Sequence, residues 1–484
     1  MSNKDKKNNS LSITIVGASG DLATQKIFPA LFALFSQNLL PENTLFFGFA
    51  RSTLSDMEFR EKITKHLICR YTPEHSCERY MSDFLEKCFY CQGKYNSVDS
   101  FLDLYTLMRE KNVSRKSNRI FYLAIPPDIF SDVAKAIGDS ALVYCRDDVP
   151  WSRVIIEKPF GKDRDSSDKL THEMAKIFTE EQTYRIDHYL GKEVVQNLLV
   201  LRFANQIFKP LWNSDYIKKI EIIWSEDKGI EGRGGYFDNY GIIRDIIQNH
   251  LLQILAMVTM EEPNSLSARE IRDKKVKVLS KIPPLKIDDI LLGQYVSVKN
   301  DNIQLLGYTN DPTVPDSSLT PTFAKVKLKI NNKRWKGVPF TITAGKAMKE
   351  KKTKVKITFR TPENNIFCSL GSCPPPNELI IRIQPNEGIH CNIVNKIPGK
   401  KLVFHEQRLD LSYDTAYTDH VIPEAYESLI MDIIDGDKSL FIRKDELQTA
   451  WDIFTPILHQ IEKEKIKPTP YSFGSTGPKK NINE

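Results

Sequence analysis

The chain is 484 residues long, more than a single hydrophobic core usually supports, so two domains are expected. Hydrophobic residues at 41% and charged residues at 27% are ordinary for a soluble globular protein, and 68 basic against 62 acidic residues leave a net charge of +6. That balance is too mild for nucleic-acid binding and only slightly favours anionic small substrates, and no apolar run approaches the roughly 18 residues that span a bilayer, so neither nucleic acid nor membrane is an expected partner.

Residues 1–10 are Lys/Asn-rich without an apolar segment and are expected to be a disordered tail, not a secretory signal, which favours an intracellular, cytoplasmic protein. Apolar runs then alternate with helical stretches. SITIVG at 12–17 is a β-branched run ending in glycine, 27–35 has helical spacing, and LFFGFA at 45–50 is a second run. IFYLAI at 120–125 and VII at 154–156 follow, each closed by proline or charge. Buried strands separated by helices imply a Rossmann-like, doubly wound parallel sheet over residues 11–185.

The rhythm changes after about residue 185. KKIEIIW at 218–224, AKVKLKI at 324–330, KVKITF at 354–359 and ELIIRI at 378–383 alternate with period two, which suits a mainly antiparallel sheet with one wet face. Helical patterns at 242–257, 423–434 and 446–462 surround it. The fold class is therefore α/β plus α+β, with the second domain over residues 186–466 and a Pro/Gly/Lys-rich flexible tail at 467–484.

Eight cysteines stand at 69, 77, 88, 91, 145, 368, 373 and 391, and in an intracellular chain of this size they are not expected to form a disulfide framework. Cys88 and Cys91 make a lone C-x-x-C without a matching second pair, so no metal site is expected.

Five segments carry chemistry. Gly17-Ala18-Ser19-Gly20-Asp21-Leu22-Ala23, followed by Thr24, joins the first strand to a helix. Glycine lets the main chain approach a pyrophosphate and the helix N-terminus offers it free N–H groups, although a tight turn with no ligand gives the same pattern. Arg51 follows the next strand, where an acid usually receives the ribose of NAD; a cation there suits the 2′-phosphate of NADP, unless it is merely an exposed strand end. Lys158 lies beyond a later strand, where ligands of doubly wound sheets collect.

Arg185-Ile-Asp-His-Tyr-Leu-Gly-Lys-Glu193 packs two bases, two acids, an imidazole and a phenol into nine residues, too many polar groups for a core element and apt for an anionic, hydroxyl-rich ligand. Finally, Arg244, Asp245 and His250 lie on an otherwise apolar helix, downstream of the flexible basic turn at 232–235. His250 is the best general base because imidazole titrates near neutrality, against the alternative of a satisfied core histidine. Five residues apart on an α-helix is roughly 140° around the axis, so Asp245 is not expected to orient His250, and Asp187 is the available acid.

Taken jointly these segments closely resemble the glucose-6-phosphate dehydrogenase family from about residue 11 to 478, through GASGDLA, GFARS, EKPFG, RIDHYLGKE, GRGGYFD and GKA in the family's order. The resemblance implies oxidation of D-glucose 6-phosphate to 6-phospho-D-glucono-1,5-lactone with NADP+, the first step of the oxidative pentose phosphate pathway. It implies His250 as the base and Asp187 as the acid that holds it. His188, Tyr189, Leu190, Gly191 and Lys192 would bind the sugar phosphate, where two potential cations suit a dianion. Lys158 would touch substrate and cofactor, and Glu226 and Asp245 would accept from ring hydroxyls. Lys346, Lys351 and Gln384 match further substrate contacts, and residues 17–24 with Arg51 would hold NADP+.

Two departures carry further expectations. Animal-type members hold a second, structural NADP+ with a tyrosine and a lysine at places occupied here by His390 and Asn392, so that site is not expected, although Lys352 and Arg382 stand. Cys69 and Cys77 match the cysteine pair of plastid-type plant enzymes switched by thioredoxin, which makes thioredoxin a candidate partner and the plastid stroma the alternative location. The family implies a homodimer or homotetramer. Non-catalytic relatives and oxidation of a broader set of hexose 6-phosphates are the competing readings.

Overall fold

The structure, a computed structural model, describes residues 10–71, 74–111, 113–114, 116–140, 142–144, 150–300, 303–371 and 373–479. The chain divides into two compact units. The first takes in Met1–Gly191, Ser267–Arg269 and Val421–Leu447; the second takes in Lys192–Leu266, Glu270–His420 and Gln448–Glu484.

In the first unit, strands β1 (Leu11–Val16), β2 (Thr44–Ala50), β3 (Cys88–Gln92), β4 (Asn118–Leu123), β5 (Ser152–Glu157) and β6 (Thr183–Ile186) form one sheet in the order β3-β2-β1-β4-β5-β6. All neighbours pair parallel. β1 and β4 are buried at every position, as a sheet covered by helices on both faces requires. The order reverses between β1 and β4, and in such sheets a ligand crevice opens at the carboxyl ends of the strands there. The helix Ala425–Asp435 joins this unit from far along the chain and packs on the helix Phe28–Ser36. A boundary drawn from local rhythm at 185/186 does not see that return, because it depends on the apolar face of Leu429, Ile430 and Ile433.

The second unit holds β7 (Ile217–Ser225), β8 (Ile290–Val296), a small hairpin of β9 (Val298–Asn300) and β10 (Ile303–Leu305), then β11 (Phe323–Leu328), β12 (Phe340–Gly345), β13 (Lys352–Phe359), β14 (Glu378–Gln384), β15 (Gly388–Lys396), β16 (Phe404–Ser412) and β17 (Thr469–Ser472). Nine of these make one sheet, β16-β15-β14-β13-β7-β12-β11-β8-β17. Only β7/β12 and β8/β17 pair parallel. The alternating burial of β7, β11 and β13 is the period-two pattern of their sequences.

Three expectations are corrected. The tail is not loose where β17 pairs with β8: Tyr471 is 4% exposed, and its hydroxyl donates to Lys346 O at 2.7 Å and lies 2.9 Å from Thr322 Oγ1. An aromatic anchor with a satisfied hydroxyl outweighs the Pro/Gly content around it. The helix expected over 242–257 begins as a π-helix, Ile243–Leu251, and only then becomes α, Leu252–Thr259. Cys368 and Cys373 form a disulfide that was not expected, whereas the Cys69–Cys77 bond is the pairing the resemblance implied; Cys145 lies outside the described residues.

Cys88 and Cys91 are buried on β3, three positions apart on a strand and so on opposite faces, a placement that cannot chelate one ion. Among the described residues, no helix is long and apolar enough to cross a membrane.

Candidate active site

In the first unit, β1 ends at Val16 and the chain turns sharply at Gly17, whose φ is +90°. A Cβ there would meet Ala124 O, beyond β4, at 2.2 Å, so only glycine lets the two strand ends close up. Gly17 and Ala18 both donate to Phe49 O, and Gly20 donates back to Gly17 O at 3.0 Å. Ala23 and Thr24 are buried in the π turn Ala23–Ile27, with the Thr24 hydroxyl on Gly20 O, while Ser19 and Leu22 are half-buried and Gly20 and Asp21 are exposed.

Only the turn's own carbonyl lies near the open side of Gly20. A bare main chain at the switch point of a parallel sheet fits a dinucleotide's phosphates. Ser19 Oγ lies 3.0 Å from Ser52 Oγ, which brings the end of β2 beside this turn. Arg51, next to Ser52, is exposed, with its guanidinium 5.2 Å from the Tyr95 ring centroid.

At the other side of the sheet, β5 delivers Glu157 and then Lys158, and β6 delivers Asp187. Asp187 is 1% exposed and closes a tight turn: its Oδ1 accepts from Tyr189 N–H at 3.0 Å and its carbonyl from Leu190 N–H at 3.0 Å. A Cβ at Gly191 would meet Ala425 O at 2.5 Å, so this glycine is required by the close approach of the helix Ala425–Asp435.

Tyr426 on that helix lies parallel to the His188 ring, 6.1 Å between centroids and 11° between planes. Glu157 is buried, 7% exposed, and Tyr122 donates to it at 2.5 Å. Burial pushes the Glu157 carboxyl up to about 7 against the lowering effect of hydrogen bonds from Tyr122 and Tyr426. Tyr426 and Glu157 are thus tied to the His188 side of the unit. Sequence reasoning missed Tyr426 because it stands 238 positions beyond His188 with no local motif around it.

In the second unit, Lys192 caps the helix Glu193–Phe203 and pairs with Glu387 Oε1 at 3.6 Å. Glu226 and Lys346 follow directly on β7 and β12, which are parallel neighbours, and Lys346 Nζ meets Glu226 Oε2 at 2.5 Å. The same ammonium sits 5.4 Å from the Trp224 ring and 5.5 Å from the Phe237 ring.

The π-helix Ile243–Leu251 packs on β12 and carries Asp245, half-buried, and His250, 2% exposed. Here Leu252 N–H donates to Ile247 O and Asn249 Nδ2 to Arg244 O, each five residues back. Residues five apart therefore stack in this turn. The roughly 140° separation of an α-helix does not apply between Asp245 and His250 in this turn. Lys351 is exposed just before β13, the antiparallel neighbour of β7; because Lys352 pairs with Ser225, Lys351 stands level with Glu226, while Gln384 ends β14 one strand further out, opposite Thr353.

Residues 14–197 match the family model described as "Glucose-6-phosphate dehydrogenase, NAD binding domain", and residues 199–483 match "Glucose-6-phosphate dehydrogenase, C-terminal domain". The chain belongs to the glucose-6-phosphate dehydrogenase family.

Among glucose-6-phosphate dehydrogenases, a chloroplastic enzyme of Spinacia oleracea is 50% identical over 98% of this chain and 82% of its own length. A cytoplasmic enzyme of Arabidopsis thaliana is 49% identical, covering 97% of this chain and 89% of the relative. A solved structure described as "Glucose-6-phosphate dehydrogenase in complex with its substrate glucose-6-phosphate" superposes with a TM-score of 0.91 at 41% identity, over 99% of this chain and 97% of its own. The Mycobacterium avium glucose-6-phosphate 1-dehydrogenase gives a TM-score of 0.82 at 30% identity, over 97% of this chain and 95% of its own. The first unit is accordingly the family's dinucleotide-binding domain.

Proposed function

We propose that the chain oxidises D-glucose 6-phosphate to 6-phospho-D-glucono-1,5-lactone with NADP+ as the hydride acceptor. The observation that carries this reading is the set of polar groups in the second unit: the Lys346–Glu226 pair at adjacent strand ends and the π turn packed on β12 with Asp245 and His250.

In this proposal His250, as neutral imidazole, takes the proton of the C1 hydroxyl while the C1 hydrogen departs as hydride and the C1–O bond becomes the lactone carbonyl. Asp187 supplies the carboxylate that balances the resulting imidazolium. His188, Tyr189, Leu190, Gly191 and Lys192 receive the phosphate, with Lys192 as its point charge. Glu226, Asp245, Lys346, Lys351 and Gln384 hold the sugar, and Lys158 serves substrate and cofactor. NADP+ supplies the hydride acceptor when bound. The turn at 17–24 would hold its pyrophosphate and Arg51 its 2′-phosphate.

The protein is proposed to work as a homodimer or homotetramer, with the Cys69–Cys77 bond open to reduction by thioredoxin. Sedimentation of the purified chain tests the first statement; a single monomer boundary would contradict it. Turnover before and after a dithiol reductant tests the second; equal rates for the wild-type protein would contradict it. Turnover of glucose 6-phosphate far above that of free glucose tests the role of the phosphate.

A further inference from the structure

A cavity of about 740 Å3 in the second unit is lined by none of the residues proposed for substrate or cofactor. It sits at the amino end of β12, among the loop that leads into that strand, the end of β11 and the segment before β8. Glu226 and Lys346 lie at the carboxyl ends of β7 and β12, roughly 17 Å away along five residues of strand.

Its floor is apolar: Leu285, Leu328, Ile330 and Val338 are between 2% and 6% exposed. Its rim carries Lys327, Lys329, Lys333 and Lys336 against one acid, Asp289, whose carboxylate already accepts from Lys286 N–H. In a chain whose charges nearly cancel, four cations to one anion around one cavity make a strong local positive field.

The walls are fixed before any ligand arrives. Trp335 is fully buried with its indole N–H on Thr259 O at 2.8 Å, and Arg334 is held by Glu261 at 2.6 Å and Trp212 O at 2.9 Å. These two anchors leave the flanking Lys333 and Lys336 exposed. Leu285 N–H donates to Ile453 O, Asn331 N–H to Lys281 O, and Pro339 O accepts from Ile220 N–H, which ties each wall to the core. Preformed concave walls with an apolar floor and few convergent charges are what small-ligand sites share.

We propose that this cavity is a binding site for a small organic anion with an apolar body and a doubly charged head, such as an aryl phosphate. The apolar body lies over Leu328 and Val338, and the head meets the lysine rim.

The test uses the full chain saturated with glucose 6-phosphate and NADPH together, a combination that occupies both reaction sites without turnover. Into it 1-naphthyl phosphate is titrated by calorimetry. The expected result is saturable binding that weakens by about tenfold or more in the double variant Lys329→Glu, Lys333→Glu, with turnover of glucose 6-phosphate unchanged. Inorganic phosphate and 1-naphthol are expected to bind much more weakly than the combined molecule. Absence of saturable heat, equal affinity in the double variant, or inorganic phosphate binding as tightly as 1-naphthyl phosphate would each overturn the proposal. Should the double variant fail to fold, Lys336→Gln alone is expected to weaken binding about threefold, and an unchanged affinity there counts against the site.

Discussion

Lys346 Nζ and Glu226 Oε2 lie 2.5 Å apart because β7 and β12 are parallel neighbours in register, Ser225 opposite Gly345, so both side chains leave the same sheet edge together. Trp224 and Phe237 flank the ammonium and limit its rotamers. Glu226→Gln keeps the shape and removes the charge, so it is expected to lower kcat/KM for glucose 6-phosphate by about tenfold to a hundredfold, the cost of weakening one charged hydrogen bond. Steady-state kinetics at varied glucose 6-phosphate checks this, with NADP+ saturating; an unchanged kcat/KM would remove Glu226 from the site.

Arg51 bears on cofactor choice. Replacing it with aspartate puts a carboxylate where the 2′-phosphate is proposed to sit, and KM for NADP+ is expected to rise far more than KM for NAD+. The ratio of the two specificity constants is the readout, since a general loss of stability would lower both alike.

Glu157 makes stability depend on pH. Its folded pKa of about 7 lies above the ordinary 4.5, first because burial disfavours the carboxylate. Between those values the folded chain binds more proton than the unfolded chain, so stability falls as pH rises from 4.5 to 7 and then levels. The full difference is about 3 kcal/mol at most. Chemical denaturation of wild type and Glu157→Gln across that range is expected to show a steeper decline in wild type than in the variant, where Asp432, also raised to about 7 by burial, still contributes. Parallel pH profiles would place the proton elsewhere.

The Cys69–Cys77 bond closes a short loop within which Arg70 and Tyr71 both reach Glu427, at 2.5 and 2.6 Å, on the helix that bears Tyr426. Opening that loop is expected to cost about 2–3 kcal/mol of unfolding free energy. Melting of wild type with and without a dithiol, beside Cys69→Ser, distinguishes this bond from Cys368–Cys373, because the reductant is expected to shift the variant less than wild type.

Much of the fold was legible because period-two and β-branched runs reflect burial on a pleat: the predicted strands at 12–17, 45–50, 120–125, 154–156, 218–224 and 354–359 each match an observed strand within about two residues. What was not legible depends on distant partners. β3 looked like a C-x-x-C motif because its thiols are core side chains, and burial, joined by the nearby Asp103 carboxylate, raises Cys91 to about 11. β17 looked like a tail because its one anchor, Tyr471, is satisfied by Thr322 and Lys346, more than a hundred residues earlier.

In the site, the motif residues were visible as a density of polar groups, but the π turn was not. It depends on Asn249, whose amide bonds Arg244 O and whose Oδ1 accepts from His250 N–H at 2.6 Å, a side-chain choice that no apolar periodicity records.

The central claim is that His250 acts as the base in oxidation of glucose 6-phosphate. The most direct measurement follows NADPH absorbance for wild type and His250→Asn under identical conditions, with substrate binding measured in parallel by calorimetry. Wild type is predicted to reduce NADP+ only when glucose 6-phosphate is present, and the variant is predicted to bind substrate while kcat falls by about 10²–10⁴. A variant that turns over as fast as wild type, or a wild-type protein that leaves NADP+ unreduced, would contradict it.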